Sequence, residues 1–204
     1  MFFSFDGLDG VGKTTQMELF CKWLGEQGHE VLTCRDPGST PLGEQIRKIL
    51  LTSGDDTPIA GCSEMLLYMA ARAQLVEEVI QPALAAGKTV VSDRFLLANV
   101  VYQGHAGGLD VDAIRSVGQV ATDGISPDGT FLLDMSPEEA FKRMGDELDR
   151  VESRGNEYRQ RLRDGFLKEA QQMGESIHVV DASRSVEEIQ TEIREIAKPL
   201  LSKR

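Results

Sequence analysis

The hydrophobic positions of the chain alternate between two spacings along its length. Short, nearly continuous apolar runs are separated by longer segments in which apolar residues recur every three or four positions, a pattern typical of parallel strands connected by helices. In one run Thr89, Val90 and Val91 follow one another, as expected of a central strand covered on both faces. The predicted strands are Phe2–Asp6, His29–Cys34, Lys88–Asp93, Thr130–Asp134 and Ile177–Asp181.

The segments between these runs have helical periodicity, and the longest of them stops at Gly87. The chain of 204 residues is long enough for one good core and shows no internal repeat or interdomain linker. We therefore predict a single α/β domain over residues 1–204, with a five-stranded parallel sheet and helices on both faces. The predicted helices are Gly12–Gly28, Leu42–Leu51, Ser63–Ala86, Asp110–Thr122, Pro137–Met144, Asn156–Met173 and Val186–Leu201.

Composition narrows the classes of partner. The net charge of −11 argues against a broad nucleic-acid-binding surface. No apolar run approaches the roughly 18 residues that a membrane span requires, and the first residues lack the basic region of a signal peptide. The cysteines, three in number, have no metal-ligand spacing, which favours reduced thiols. We predict a soluble cytoplasmic protein that binds neither nucleic acid nor membrane.

Residues 7–14 match the pattern G-x-x-x-x-G-K-[ST], between a predicted strand and a predicted helix. In such a P-loop, glycines let backbone N–H groups turn toward phosphate oxygens, and the helix N-terminus adds its dipole. Lys13 would contact the β- and γ-phosphates and would be catalytic. The predicted ATP-binding residues are Gly7, Leu8, Asp9, Gly10, Val11, Gly12, Lys13, Thr14 and Thr15.

A magnesium ion normally accompanies nucleotide at a P-loop. Thr14 offers a hydroxyl ligand, and Asp93 ends a predicted strand at the sheet edge where α/β proteins bind ligands. Arg94 would place a planar cation in the same crevice and would be catalytic. The alternative is that Asp93 and Arg94 form a structural surface pair.

Four segments in order resemble the thymidylate kinase family, whose bacterial members read roughly FEG-x-DG-x-GKTT, REPGGT, LLF-x-A-x-RAQ and DRY-x-x-S-x-x-AYQG. The corresponding segments here are FDGLDGVGKTT, RDPGST, LLYMAARAQ and DRFLLANVVYQG. The resemblance covers nearly the whole chain. It implies a P-loop NTPase fold with a short lid at about residues 144–152, Mg²⁺, ATP as co-substrate, and a homodimer.

The resemblance also implies roles for the acceptor-binding residues. Arginine groups would hold the acceptor 5′-phosphate, an aromatic ring would stack on thymine, and polar side chains would meet the base edge and the sugar. Structural roles remain open for several of them: core packing for Tyr68 and Tyr102, a solvated face for Arg47, and an ion pair for Arg72. In order, these residues are Arg35, Arg47 and Arg94 for the phosphate; Tyr68 for stacking; Arg72, Asn99 and Gln103 for the base edge; Tyr102 for the deoxyribose; and Asp9 and Asp36 for the 3′-hydroxyl.

The chain departs from the family pattern at several positions. Family members carry a catalytic cation in the P-loop or in the lid, and because the P-loop position here is Gly10, the lid should supply it. Arg143 and Arg150 flank the acidic lid as candidates, although Arg150 could instead pair within its own acidic stretch. The other departures are Asp6 for Glu, Ser39 for Gly, Phe95 for Tyr and Ala98 for Ser.

The function implied is transfer of the ATP γ-phosphate to dTMP, in deoxynucleotide (dTTP) biosynthesis. The acceptor phosphate is already ionised at neutral pH, so that catalysis would rest on positioning and charge neutralisation rather than on a general base. Two alternatives remain at this stage. One is another nucleoside monophosphate kinase, and the other is a catalytically weak nucleotide-binding regulator of the same fold.

Overall fold

A five-stranded, all-parallel sheet forms the centre of the protein in a computed structural model that describes residues 1–52, 58–144 and 155–202. The strand order is β2-β3-β1-β4-β5, which places β1 in the middle. All five predicted strands are confirmed to within two residues at each end. Their bounds are β1 Phe2–Gly7, β2 Val31–Arg35, β3 Thr89–Asp93, β4 Gly129–Asp134 and β5 Ile177–Asp181.

Helices connect the strands, and most of them agree with the sequence pattern. The prediction for Ser63–Ala86 was wrong in one respect, because this segment is α-helical only at its two ends and π-helical over Val76–Ile80. The α-helices are α1 Lys13–Glu26, α2 Pro41–Thr52, α3 Gly61–Leu75, α4 Gln81–Ala85, α5 Leu96–Asn99, α6 Val111–Thr122, α7 Pro137–Lys142, α8 Asn156–Met173 and α9 Val186–Leu201.

The helix bounds predicted from the sequence omit one region, which consists of α5 and a π-helical segment at Val100–His105. Five consecutive residues of the π-helical segment, from Val100 to Gly104, are buried. A helix buried on all sides has no polar face, and so the apolar–polar periodicity that reveals a surface helix is absent. π-helical turns often occur at functional sites, and this one continues from α5, which connects it to the end of β3.

The core on one side of the sheet is aromatic. Phe3, Phe5, Phe20 and Phe131 contact one another, with ring centroids between 5.0 and 5.8 Å apart. All six residues of β1 are buried, and β1 pairs with β3 and β4 on either side. This burial holds the carboxyl end of β1, and the loop that follows it, in the middle of the sheet edge.

The carboxyl ends of β1, β2 and β3 lie side by side at that edge. The register pairs Phe5 with Asp93, and Arg35 with Asp93, so that functional residues from three strands meet there. No helix in the described part of the chain is both long and apolar enough to cross a membrane.

Candidate active site

The loop between β1 and α1 has the backbone that its glycines predict. Gly7, Gly10 and Gly12 all have positive φ, and α1 begins at Lys13. A Cβ on Gly7 would lie 2.4 Å from the Leu133 carbonyl oxygen, so that the loop fits against β4 only without a side chain there. The first N–H groups of a helix have no intrahelical partners, so this turn can act as an anion-binding cradle at the start of α1.

Lys13 lies inside this cradle. Its side chain is buried, and Nζ donates to the Leu8 carbonyl at 2.6 Å and to the Gly7 carbonyl at 3.4 Å. Burial and the nearby Arg94 lower the pKa of Lys13, whereas three neighbouring carboxylates oppose that change. The ammonium is thus held at the loop, where a phosphate oxygen would be its strongest partner.

Asp9, Arg94 and Tyr102 form a compact network across the same edge. Arg94 donates to the Gly7 carbonyl at 2.9 Å and forms an ion pair with Asp9. The Tyr102 hydroxyl donates to Asp9 Oδ2 and accepts from Arg94, both at 3.1 Å. Burial alone would raise the pKa of Asp9, but Arg94 and Lys13 outweigh it and hold the pKa below its usual range. Asp9 is therefore an ionised acceptor fixed beside the loop.

Arg94 adopts an unusual backbone conformation directly after β3. Its φ is +66°, in the left-handed region that non-glycine residues rarely occupy. Such a conformation costs on the order of 1–3 kcal/mol and is retained where surrounding contacts compensate, often at functional sites. Here its side chain contacts Gly7, Asp9 and Tyr102.

Two strand-end carboxylates have buried oxygens that lack hydrogen-bond partners within the described ranges. They are both oxygens of Asp6, at the end of β1, and Oδ1 of Asp93, at the end of β3. Burial raises the pKa of Asp6 to about 7, although Arg94 and Lys13 pull it down. Carboxylate oxygens left in this state are suitable partners for a hard cation or its bound water. Across residues 1–52, 58–144 and 155–202, no group of three or more His, Cys, Asp or Glu side chains could hold a metal by itself.

Two adjoining clefts open at this edge. The first, the phosphate cleft, has a volume of about 470 Å³ and is lined by the P-loop, Asp93, Arg35 and Arg143. The second, the acceptor cleft, has a volume of about 130 Å³ and lies between α2, α3 and the α5 region. Its lining includes the residues predicted to meet the base and sugar, namely Tyr68, Arg72, Asn99, Tyr102 and Gln103. Four residues line both clefts: Asp9, Asp36, Arg47 and Arg94.

Of the arginines predicted for the acceptor phosphate, Arg47 and Arg94 line both clefts and Arg35 lines the phosphate cleft. Arg47 donates to the Pro37 carbonyl at 3.0 Å, and Arg35 donates to Glu44 at 2.8 Å with half of its side chain exposed. A guanidinium has five N–H groups, and so each of these contacts leaves donors for a phosphate.

The loop after β2 explains how Ser39 is tolerated in place of glycine. Its φ is +62°, a conformation that favours glycine. Two hydrogen bonds hold it: the Ser39 N–H donates to Glu44 at 2.8 Å, and the Ser39 hydroxyl accepts from the Arg35 N–H at 2.9 Å. The departure from the family pattern therefore preserves the turn that carries Arg35.

Arg72 takes part in a buried ion pair while also lining the acceptor cleft. Its Nε lies 2.5 Å from Asp36 Oδ2, and both side chains are almost fully buried. Its NH2 group donates to the Phe95 carbonyl at 3.3 Å. The ion pair, which was the structural alternative for Arg72, is therefore present, and it fixes the guanidinium at the wall of the acceptor cleft.

A chain of hydrogen bonds links three buried polar side chains at the base end of the acceptor cleft. Asn99 Nδ2 donates to Gln103 Oε1 at 2.8 Å, and Gln103 Nε2 donates to Glu64 Oε1 at 2.9 Å. Sequence reasoning predicted Asn99 and Gln103 but missed Glu64. One signal was available, since Glu64, Tyr68 and Arg72 are spaced by four and share a face of α3.

The position of Gly10 bears on the catalytic cation. A Cβ there would lie 2.2 Å from the Ala140 carbonyl oxygen of α7, which leaves no room for a side chain. Arg143, just after α7, lines the phosphate cleft and donates to the Ala182 carbonyl at 3.3 Å. Arg150, and all but the first residue of the lid predicted at 144–152, lie outside the described residues.

Fold and site together define a class of protein. A P-loop at the middle strand of a parallel sheet, beside a second cleft lined with arginine and sized for a smaller ligand, characterises a P-loop phosphotransferase that acts on a small phosphorylated acceptor. The chain has both parts, with Arg94 and Asp9 common to them.

Comparisons with known proteins identify the family. The thymidylate kinase family model matches residues 5–193. The chain is 43% identical over 205 residues to the thymidylate kinase of Symbiobacterium thermophilum, covering 100% of this chain and 95% of that protein. It is 46% identical over 184 residues to that of Rhodopirellula baltica, covering 90% and 74%. The crystal structure of thymidylate kinase from Ehrlichia chaffeensis superposes with a TM-score of 0.77 at 29% identity, covering 97% and 98%. The chain belongs to the thymidylate kinase family.

Proposed function

We propose that the chain transfers the γ-phosphate of ATP to the 5′-phosphate of dTMP, which produces dTDP and ADP for dTTP biosynthesis. The observation that carries this proposal is the pair of adjoining clefts. The P-loop cleft suits a triphosphate, and the smaller cleft combines arginines with a tyrosine and amides that suit a pyrimidine nucleotide. Because four residues line both clefts, the two phosphates would be held next to each other.

On the ATP side, the P-loop amides and Lys13 would bind the β- and γ-phosphates. Thr14, which lines the phosphate cleft, and Asp93, with a buried oxygen lacking a partner in the described chain, would hold Mg²⁺. One or two carboxylate or hydroxyl ligands plus phosphate oxygens are usual for this ion. Mg²⁺ would neutralise charge on the phosphates.

On the acceptor side, Arg35, Arg47 and Arg94 would hold the 5′-phosphate with paired N–H groups. Tyr68 would stack on the base, a contact worth roughly 1–3 kcal/mol. Tyr102, fixed by Asp9 and Arg94, would pack against the deoxyribose. Arg72, Asn99 and Gln103 would face the base edge, and Asp9 and Asp36 would accept from the 3′-hydroxyl.

The reaction requires no proton-accepting residue. An ionised oxygen of the acceptor phosphate forms a bond to the γ-phosphorus as the bond from that phosphorus to the β-phosphate oxygen breaks. The chain's contribution is alignment and positive charge from Lys13 and Arg94. Because Gly10 has no room for a side chain, we assign the remaining cation to Arg143, with Arg150 as the alternative.

The chain would act as one domain and as a homodimer in the cytoplasm. Val120 on α6 is 83% exposed and Leu66 on α3 is 49% exposed, and these two helices pack against each other. An apolar surface of this kind suits a partner subunit. Light scattering should give the mass of a dimer, and Val120→Asp should give a monomer whereas Val186→Asp on α9 should not.

The proposed cytoplasmic location agrees with the state of the cysteines. The described cysteines are all free, which suits a reducing compartment.

Turnover with Mg-ATP and a panel of nucleoside monophosphates tests the proposal. We expect dTMP to be the preferred acceptor. Lys13→Ala should lower kcat by on the order of 10²-fold or more, since the ammonium carries transition-state charge. Lys22→Ala, an exposed lysine on the same helix, is the matched control and should retain activity. Preference for another monophosphate would reassign the substrate, and binding of both nucleotides without transfer would indicate a regulator.

A further inference from the structure

The three linked polar side chains at the base end of the acceptor cleft come from different parts of the chain. Glu64 lies in the first turn of α3, Asn99 ends α5, and Gln103 lies in the π-helical segment. Their exposed fractions are 3%, 2% and 4%, respectively. A buried polar chain of this kind is maintained only when its donors and acceptors match.

The hydrogen bonds of this chain run in one direction because an ionised Glu64 can only accept from Gln103. A carboxylate has no hydrogen to donate, so Gln103 must turn its NH₂ group toward Glu64. The Gln103 carbonyl oxygen then faces Asn99, which must answer with its own NH₂ group. The Asn99 carbonyl oxygen is what remains. It is buried and has no hydrogen-bond partner among residues 1–52, 58–144 and 155–202, while Asn99 itself lines the acceptor cleft.

We propose that Glu64 is a positioning residue that, through Gln103, fixes the carbonyl oxygen of Asn99 as the atom presented to the acceptor base. Thymine and uracil carry N–H at ring position 3 and can donate to this oxygen. Cytosine has a lone pair at that position, and two facing acceptors repel each other. Glu64 therefore selects the class of pyrimidine without touching it. This inference rests on the proposed function, because it concerns the base of the acceptor nucleotide.

Glu64→Gln tests the proposal, because it replaces one carboxylate oxygen with an NH₂ group and otherwise keeps the shape of the side chain. A glutamine can either accept from or donate to Gln103. When it donates, each bond reverses: Gln103 accepts from it and donates to the Asn99 carbonyl oxygen, and the Asn99 NH₂ group meets the base. We expect the ratio of kcat/KM for dTMP to that for dCMP to fall by about tenfold or more, since a matched pair is lost for one base and gained for the other. The change should be in KM for the monophosphate, with KM for ATP unaltered.

The matched control is Glu169→Gln. Glu169 is equally buried and accepts from Arg115, but it lies away from both clefts. It should leave the dTMP-to-dCMP ratio unchanged even where it lowers stability. A rescue variant combines Glu64→Gln with Gln103→Glu, which moves the carboxylate one place along the chain. The carboxylate at position 103 accepts from the amide at position 64 and from the Asn99 NH₂ group. The Asn99 carbonyl oxygen therefore again meets the base. The ratio should recover.

Calorimetric binding of dTMP and dCMP gives the same comparison without turnover. If the wild-type chain transfers no phosphate to dTMP but binds it in preference to dCMP, and Glu64→Gln loses that preference, the proposed function fails while the role of Glu64 stands. If Glu64→Gln is folded by circular dichroism and keeps the wild-type selectivity in both assays, the proposal is wrong. Should Glu64→Gln fail to fold, the double variant decides: wild-type selectivity supports the proposal, and lost selectivity overturns it.

Discussion

Replacing Asp6 by asparagine should change how the stability of the fold depends on pH. Both carboxylate oxygens of Asp6 are buried without hydrogen-bond partners in the described part of the chain. Burial raises its pKa from 3.8 to about 7, against the pull of Arg94 and Lys13. The folded chain therefore binds this proton more tightly than the unfolded chain. It follows that the free energy of unfolding decreases as the pH rises from about 4 to about 7.

The magnitude follows from the difference between the two pKa values. A pKa difference of about 3 corresponds to about 4 kcal/mol, of which roughly 2.5 kcal/mol is lost between pH 5 and pH 8. Asparagine has nearly the same shape and does not ionise. Relative to the wild-type chain, Asp6→Asn should therefore gain roughly 2–3 kcal/mol in free energy of unfolding over that interval. The attractions of Arg94 and Lys13 are already contained in the pKa of Asp6 and need no separate allowance.

Urea unfolding at pH 5 and pH 8, in EDTA and without nucleotide, measures this difference. Asp181→Asn at the end of β5 is the control. Asp181 is exposed and its pKa is lowered by hydrogen bonds from Ser183, so its carboxylate is ionised throughout the interval and the effect of its removal should not change between the two pH values. A difference between Asp6→Asn and wild type that is the same at both pH values would refute the reasoning.

Three further substitutions test packing and charge, each by urea unfolding. Arg72→Met leaves Asp36 buried without its cation and should cost about 3–5 kcal/mol, part of which Asp36→Asn should restore in the double variant; additive losses would contradict this. Gly10→Ala should lower the free energy of unfolding by about 1–3 kcal/mol more than Gly12→Ala. Both glycines have positive φ, but only a Cβ on Gly10 meets the α7 backbone, so equal losses would contradict this. Tyr102→Phe removes a donor to a charged carboxylate and should cost about 2 kcal/mol, and an unchanged midpoint would show that this hydrogen bond is not formed.

The elements with strong local signals were predictable from the sequence. The bounds of β5, α8 and α9 agree with the prediction at both ends. For α9, Ser185 and Glu188 form a reciprocal capping box, a start signal that depends only on residues three apart. The P-loop was predictable for the same reason, since its glycines and Lys13 act through a backbone turn that a short segment specifies by itself.

Features that depend on distant contacts were not predictable. The π-helical segment at Val76–Ile80 changes the helix by a single hydrogen-bond step. Val76 and Ile80 are buried while Glu77 and Glu78 are exposed, and an α-helix has the same apolar–polar spacing. The buried pairing of Arg72 with Asp36 joins residues 36 positions apart, and sequence spacing alone left it as one of two alternatives. Glu64 became a candidate only when the fold placed Gln103 against it.

The alignment of the two clefts depends on strand register more than on any single side chain. Asp9 follows β1 and Arg94 follows β3, and these strands are paired so that Phe5 lies opposite Asp93. Shifting β3 by one residue would reverse the faces of all its side chains and would move Arg94 away from Gly7 and Asp9. Val90 and Val91 are both fully buried, one in each of two hydrophobic clusters, so such a shift would displace apolar residues on both sides of the sheet. The apolar residues of the central strands thus determine the distance at which a triphosphate and a monophosphate can be held together.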